Sequence, residues 1–333
     1  AEPRRRVPIL GEFDVLVCGG GAAGYCAAIA AARAGASTLL VERGSFLGGS
    51  ATQSLVLPLM TFHASPTDQI VKGIGEEIVR KTMALGGSPG HMPDPLGFAA
   101  TITPADPETL KWAILDLVKM SGARLLLHSL AVAPILKGRR LRGVFIEGKS
   151  GRQAALAKVI VDATGDGDIA ARAGAPFTMG RASDGKTQPL TLMFRLGSVD
   201  IAAVRRHIRK HPSDFVLPPG GLAELDRLSL LAVSGFFNAV RRAQTAGELG
   251  LFRDRVLFFE MPAAGEVLVN MTRVIGASGT DAAQLTRGEL EALEQTRQIV
   301  RFLRKRVPGF AAATLIEVAS QIGVRETRHI EGR

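Results

Sequence analysis

Cysteine and aromatic residues are scarce in this 333-residue chain, and each shortage excludes something. The two cysteines, Cys18 and Cys26, are too few for a disulfide framework or a cysteine-rich metal site. They do not form a Cys-x-x-Cys pair, so a dithiol redox centre is not expected and packed apolar roles are. Phe, Trp and Tyr together make up 5%, with one Trp and one Tyr, which leaves little material for base-stacking platforms. No uninterrupted apolar run reaches the roughly 18 residues of a membrane-spanning helix. No cluster of His, Cys and carboxylates has metal-ligand spacing, so no metal is expected. The N-terminal stretch around Arg4, Arg5 and Arg6 lacks the apolar segment of a signal peptide. Because the chain begins with Ala, removal of a single Met and removal of an export sequence both stay open. With so little cysteine, a cytoplasmic location is the expectation.

Acidic residues are also in the minority, 31 against 41 Lys and Arg, for a net charge of +10. The excess sits in short clusters: Arg4–Arg6, Lys137–Arg142, Arg205–Lys210 and Arg301–Arg306. Such clusters are expected to be solvated faces, and without interleaved aromatics nucleic acid is not the expected partner. An anionic ligand would account for part of the charge. Apolar residues reach 46%, which excludes a disordered chain, and the 38 glycines follow no collagen period. The length suits two domains.

The first fifty residues carry the clearest chemistry. Phe13–Cys18 is an apolar run of the kind found in buried parallel strands. Gly19-Gly20-Gly21-Ala22-Ala23-Gly24 follows at once and matches G-x-G-x-x-G, then an Ala-rich helix runs to Gly35. Thr38–Val41 is a second strand, ending in Glu42 with Arg43 beside it. Gly19 permits the tight turn, Gly21 lets a pyrophosphate approach the backbone, and Gly24 lets helix and strand pack closely. The amides of Ala22 and Ala23, at the positive end of the helix dipole, suit phosphate oxygens. Glu42, about 20 residues beyond the glycines, is placed to accept hydrogen bonds from ribose hydroxyls, and its charge would repel a 2′-phosphate. A second glycine pair, Gly48-Gly49, with Ser50 and Thr52 after it, resembles the Gly-Gly loop of FAD-binding oxidoreductases, and points to FAD rather than NAD.

Further along, Thr67-Asp68 should open a helix containing Ile70, Ile74, Ile78 and Met83, and Asp106-Pro107-Glu108 should open another. The segment between them, rich in Pro and Gly, reads as a loop or lid. Arg124–His128 looks like a third parallel strand, and Ala131–Ile135, Leu141–Glu147 and Ala155–Val161 like an antiparallel crossover. Leu285–Val307 should be a helix with a Thr286/Glu289 capping box and Leu290, Leu293, Val300, Leu303 and Val307 on one face. Gly180–Thr187 matches a P-loop pattern, but Pro189 and the strand-like Leu190–Phe194 follow it, so no nucleoside triphosphate is expected there. Asn270-Met271-Thr272 is a glycosylation sequon that nothing else supports.

A strand ending in Asp162-Ala163-Thr164-Gly165-Asp166-Gly167-Asp168 lies where α/β folds bind ligands. Together with the N-terminal fingerprint, the "TQPLTLMF" stretch, "VNMTRV" at 269–274 and "VPGF…QIGVRETR" at 307–328, it resembles the bacterial FAD-dependent oxidoreductase family. This is a branch of the glutathione-reductase-like, fumarate-reductase-related flavoproteins. The resemblance covers essentially the whole chain. It implies an α/β fold: a Rossmann-like FAD-binding domain from 1–60 and 105–190 with a parallel sheet and antiparallel crossover, an insertion or lid at 61–104, and an α/β substrate domain at 191–320. Residues 321–333 would return to the first domain. It also implies that the backbone of Ala131 and Val132 meets the adenine, that Thr164, Gly165 and Asp166 lie by the adenosine or pyrophosphate, and that Gln188 and Thr191 face the flavin. Relatives continue past Arg333 with a strand and a glycine loop, which leaves three expectations open: a fragment, a remainder supplied elsewhere, or an incomplete flavin site.

The resulting function is an FAD-dependent oxidoreductase that accepts a hydride from a small polar organic substrate onto flavin N5 and passes electrons to an unknown acceptor. His63 is a candidate general base, with a satisfied structural histidine as its alternative. Asn270 and Arg273 are candidates to orient a substrate carboxylate or carbonyl. Arg325 and Glu326, in "GVRETR", suit anion binding or an ion-pair network. Covalent flavin attachment is not expected, since the Gly-Gly loop has no histidine. The competing function is a truncated or non-catalytic nucleotide-binding module, RNA-associated if the basic charge is functional. A homodimer is left open.

Overall fold

A computed structural model describes residues 6–332, so Arg4 and Arg5 of the first basic cluster lie outside the described residues. The described chain forms two compact units. One comprises residues 6–52, 110–186 and 326–332, the other 53–109 and 187–325.

The first unit is built on a six-stranded sheet. Its order is Arg124–Leu126, Thr38–Val41, Ile9–Cys18, Gly151–Asp162, Arg140–Gly148 and Ser129–Lys137. The first four strands are parallel and the last three form an antiparallel meander joined through Gly151–Asp162. All four residues of Thr38–Val41 are buried, as a strand covered on both faces requires. The helix Ala22–Arg33 follows Ile9–Cys18 directly and is stopped at Gly35, whose φ of 85° only glycine adopts cheaply. Leu16, Cys18, Leu39, Val144, Ile146 and Ala155 form the core of this unit. A crossover strand pattern was expected at 131–161, and all three strands are present with longer ends.

The second unit has a five-stranded antiparallel sheet ordered Ala232–Gly235, Val256–Glu260, Val267–Val269, Phe194–Gly197 and Thr314–Val318. Phe194, Phe258, Phe302, Leu303 and Phe310 are fully or almost fully buried in its core. A small sheet of Leu59–Met60, Thr101–Thr103 and Met92–Pro93 belongs to the same unit. The helix Pro107–Ser121 starts where expected, with Thr109 N–H donating to the Asp106 carboxylate at 2.8 Å. Among the described residues no helix is long and apolar enough to cross a membrane.

Two local expectations are corrected. The helix expected from Thr67 onward begins only at Ile74. Asp68–Gln69 pairs instead with His63–Ser65, the Ile70 and Val71 amides donate to the Phe62 carbonyl, and Gly73 turns the chain at a φ of 63°. The long helix spans Ala282–Arg306 and is capped by Asp281, which accepts from Gln284 N–H at 2.8 Å. Thr286 donates to the Ala282 carbonyl within the helix, and Glu289 accepts from the Ile322 amide at 2.6 Å, so neither forms the expected capping box. Val300, Leu303 and Val307 are buried as expected, but the stripe continues through Ala292, Gln295, Ile299 and Phe302, and Leu290 and Leu293 are exposed. Its basic end is a solvated face in which Lys305 and Arg306 pair with Glu248.

That register is testable by denaturant unfolding. Phe302→Ala should cost roughly 3–5 kcal/mol, the usual penalty for emptying a core aromatic site. Leu290→Ala, at a 65%-exposed position, should stay within about 0.5 kcal/mol.

Candidate cofactor site

In the first unit, the turn after Ile9–Cys18 is formed by backbone packed on backbone. Gly19 has a φ of 106°, and a Cβ at Gly24 would overlap the Gly19 carbonyl oxygen. The loop of Gly48 and Gly49 lies directly against this turn: Gly48 N–H donates to the Gly20 carbonyl at 2.9 Å. A Cβ on Gly49 would come within 2.7 Å of the Gly21 Cα. Thus the two glycine motifs, separated in sequence by a helix and a strand, are adjacent in space. At Gly21 itself the situation differs, because a Cβ there would meet only the Gly49 Cα, at 3.8 Å. Ala22 and Ala23 are exposed in the first helical turn.

Glu42 is 5% exposed and clamps the turn. Its carboxylate accepts from the Gly20 and Gly44 amides, each at 2.6 Å. Around it opens a small cleft of about 50 Å³ whose lining includes Gly19, Glu42, Arg43, Ala131, Thr164 and Asp168. Val132 is next to it in sequence and gives its carbonyl to Arg172 at 2.9 Å. The Thr52 hydroxyl points inward and donates to the Leu47 carbonyl at 2.8 Å, stabilising its own loop; Ser50 is exposed.

The turn after Gly151–Asp162 is held by its own side chains. Asp162 accepts from the Thr164 hydroxyl at 2.7 Å and the Ala170 amide at 2.8 Å. Gly165 has a φ of 89°. Asp166 accepts from the Thr327 hydroxyl at 2.9 Å, while Arg328 bridges the Asp166 carbonyl and the Asp168 carboxylate at 2.8 and 2.9 Å. Burial pushes the Asp166 carboxyl above its ordinary value, against the opposing Thr327 hydrogen bond. Thr327 and Arg328 were not singled out as partners of this turn; only the fold pairs residues so far apart in sequence.

The remaining candidates divide between the units. Glu326 belongs to the first, where it lies 3.1 Å from His329. Arg325 belongs to the second and donates to the Thr191 hydroxyl at 3.3 Å. His63 Nδ1 is 2.9 Å from Thr101 Oγ1, and its ring meets His91 edge-on, so the structural alternative has a concrete partner. Gln188 is exposed. Asn270 and Arg273 flank Thr272, whose buried hydroxyl bonds both the amide and carbonyl of Leu192. Gly180–Thr187 forms a turn closed by Arg181–Asp184 and by backbone bonds between Arg181, Gly185 and Lys186, not a phosphate cradle.

Residues 14–333 match the model of the family described as FAD dependent oxidoreductase. The chain belongs to that family. The family is one of FAD-dependent oxidoreductases, and the glycine cradle fits an FAD: the space at Gly21 is open where a Cβ would intrude. A 47-residue stretch is 51% identical to dihydrolipoyl dehydrogenase of Trypanosoma brucei brucei, covering 14% of this chain and 10% of that protein. Among solved structures, a geranylgeranyl bacteriochlorophyll reductase-like protein from Thermoplasma acidophilum matches with a TM-score of 0.53 and 16% identity, over 94% of this chain and 66% of its own. The myxobacterial chondrochloren halogenase matches at 0.53 and 18%, over 95% and 64%. The p-nitrophenol 4-monooxygenase from Pseudomonas putida matches at 0.51 and 11%, over 96% and 68%. At these identities the likeness is one of fold, a Rossmann-like FAD-binding architecture. The chain spans a tenth of the curated relative and just under two thirds of the first two structures.

The glycine geometry separates two effects that a binding assay alone would mix. Gly49, at a φ of 55° and against Gly21, should lose roughly 1–3 kcal/mol of stability on substitution by Ala. Gly21→Ala should be close to neutral in unfolding experiments without FAD. The thiols give a second check. Burial, and then the nearby Asp162 charge, push the Cys18 thiol up to about 12, and burial also raises Cys26. Neither should be labelled by a maleimide at neutral pH until the protein is denatured.

Proposed function

We propose that FAD docks on the first unit along the Gly19–Gly24 turn and that the chain is an oxidoreductase taking a hydride from a small polar organic substrate. The observation that carries this reading is the contact of the two glycine loops beside the Glu42 cleft. The amides of Gly21, Ala22 and Ala23 face the pyrophosphate at the positive end of the helix dipole. Glu42 receives the ribose hydroxyls, with Arg43 at the same cleft. The backbone of Ala131 and Val132 borders the adenine, and Thr164, Gly165 and Asp166 border the adenosine side. Gly48, Gly49, Ser50 and Thr52 supply the second loop. When bound, the flavin supplies a two-electron acceptor at N5. The chain's own task is to hold the donor carbon in place and to exclude water. Gln188, Asn270 and Arg273 are assigned to the substrate, while His63, Arg325 and Glu326 are the candidates for moving or stabilising protons and charge.

Absorbance titration of the purified chain with FAD tests this. The wild type should bind FAD with a perturbed flavin spectrum. Gly21→Ala should weaken binding by about tenfold or more, because its methyl group occupies the space the pyrophosphate needs. A folded chain that leaves FAD free in solution would overturn the reading and favour the non-catalytic module.

A further inference from the structure

The second unit contains a cavity of about 620 Å³, within the range of small-molecule sites. Its wall includes Arg253, Arg255 and Arg273, yet only Arg255 is neutralised: it grips Asp254 through two hydrogen bonds of 2.8 Å. Among the described residues neither Arg253 nor Arg273 has a carboxylate within salt-bridge distance. Arg253 donates one bond, to the Asn270 carbonyl at 2.9 Å, and the Nε atoms of both arginines are buried without a partner. The Oδ1 of Asn270 and the Oγ of Ser234 are also buried and unpartnered; Ser234, 1% exposed, lines the cavity.

Three of these orphaned atoms belong to residues that line the cavity and the fourth to Asn270, whose carbonyl Arg253 binds, an unusual concentration because buried donors and charges are normally satisfied. The arginines also work against each other. Burial, and then the charges of Arg273, Arg325 and Arg255, pull the Arg253 guanidinium below its ordinary value. An anion placed among them would relieve both costs, and guanidinium forks match the geometry of a carboxylate. Two aromatic residues share the lining. Phe98 and Phe252 line it while remaining 61% and 84% exposed. Unneutralised charge and exposed aromatic surface in one cavity fit a ligand with an anionic head and an apolar body.

We propose that this cavity is the substrate site and that it takes an organic acid whose carboxylate lies between Arg253 and Arg273, with its apolar part against Phe98 and Phe252. The assignment names the substrate class for the oxidoreductase reading above and rests on that reading for its catalytic meaning. Binding of the acid itself does not depend on it. Asn270 and Ser234 orient the head group, and Gln244 holds the arginine loop by donating to the carbonyls of Leu251 and Arg253, each at 2.8 Å.

Calorimetric titration of the full chain, with and without FAD, uses benzoate as probe and benzamide as its uncharged isostere. Benzoate should bind at least about tenfold more tightly than benzamide and than acetate, the magnitude expected of charge-assisted bonds and of the aromatic lining. Arg253→Gln and Arg273→Gln should each cost benzoate about tenfold or more while leaving the FAD titration unchanged, which also shows that the variants are folded. Equal binding of benzoate and benzamide by the wild type overturns the proposal, as does tighter binding of phenyl phosphate than of benzoate. If benzoate binds as expected and FAD does not, the cavity assignment stands and the oxidoreductase reading falls; the reverse outcome sinks only the cavity.

Discussion

Polypeptide backbones can touch only where no Cβ stands between them, and the cleft beside Glu42 is assembled from contacts of that kind. Gly24 lies on the carbonyl of Gly19, and Gly49 lies on Gly21. The hydrogen bond from Gly48 to Gly20 then joins the loops, and the buried Glu42 carboxylate holds the amide of Gly20. Remove the closeness and the amides of the helix opening would no longer converge on one place. A phosphate-sized group needs several donors aimed at it at once, which a loose loop does not provide. Strand order matters for the same reason. Glu42 ends a strand parallel to Ile9–Cys18, so both chain ends emerge at one edge of the sheet, where ligands of α/β folds collect.

The second unit uses a different physical means. Its antiparallel sheet is a rigid platform with a large aromatic and aliphatic core, and its polar chemistry is carried by loops and strand ends. Desolvating guanidinium groups without carboxylate partners is costly, so the arginine cluster is sustained by the packing beneath it. Thr272, locked to Leu192, and Gln295, which accepts from the Arg273 amide at 2.7 Å, hold the backbone from which Arg273 projects.

Legibility in the sequence followed the range of the interactions concerned. The fingerprint glycines, the strands at 13–18 and 38–41, the crossover strands and the Asp106 cap are set by neighbours a few residues away, and each could be anticipated. The Thr286/Glu289 capping box was also local, yet it failed. Asp281 offered an earlier cap, and Glu289 was taken by the Ile322 amide, 33 residues away in sequence. The helix expected after Thr67 failed because a short hairpin with His63–Ser65 competed for its first residues. Arg253 escaped notice altogether. Its only local sign was a second arginine two residues on, around Asp254 and after an apolar Phe252, and nothing local reveals which of the two arginines keeps the acid.

Residue order alone therefore settled the glycine turn, the acid that ends the neighbouring strand and the family to which the chain belongs, because glycine conformation, helix dipole and strand end act over short stretches. Which glycine loops touch, that Thr327 and Arg328 secure the Asp166 turn, and that two arginines of one cavity have no carboxylate within salt-bridge distance were decided only by folding. Those relations depend on distance and burial between remote segments, quantities that do not exist until the sheets are formed.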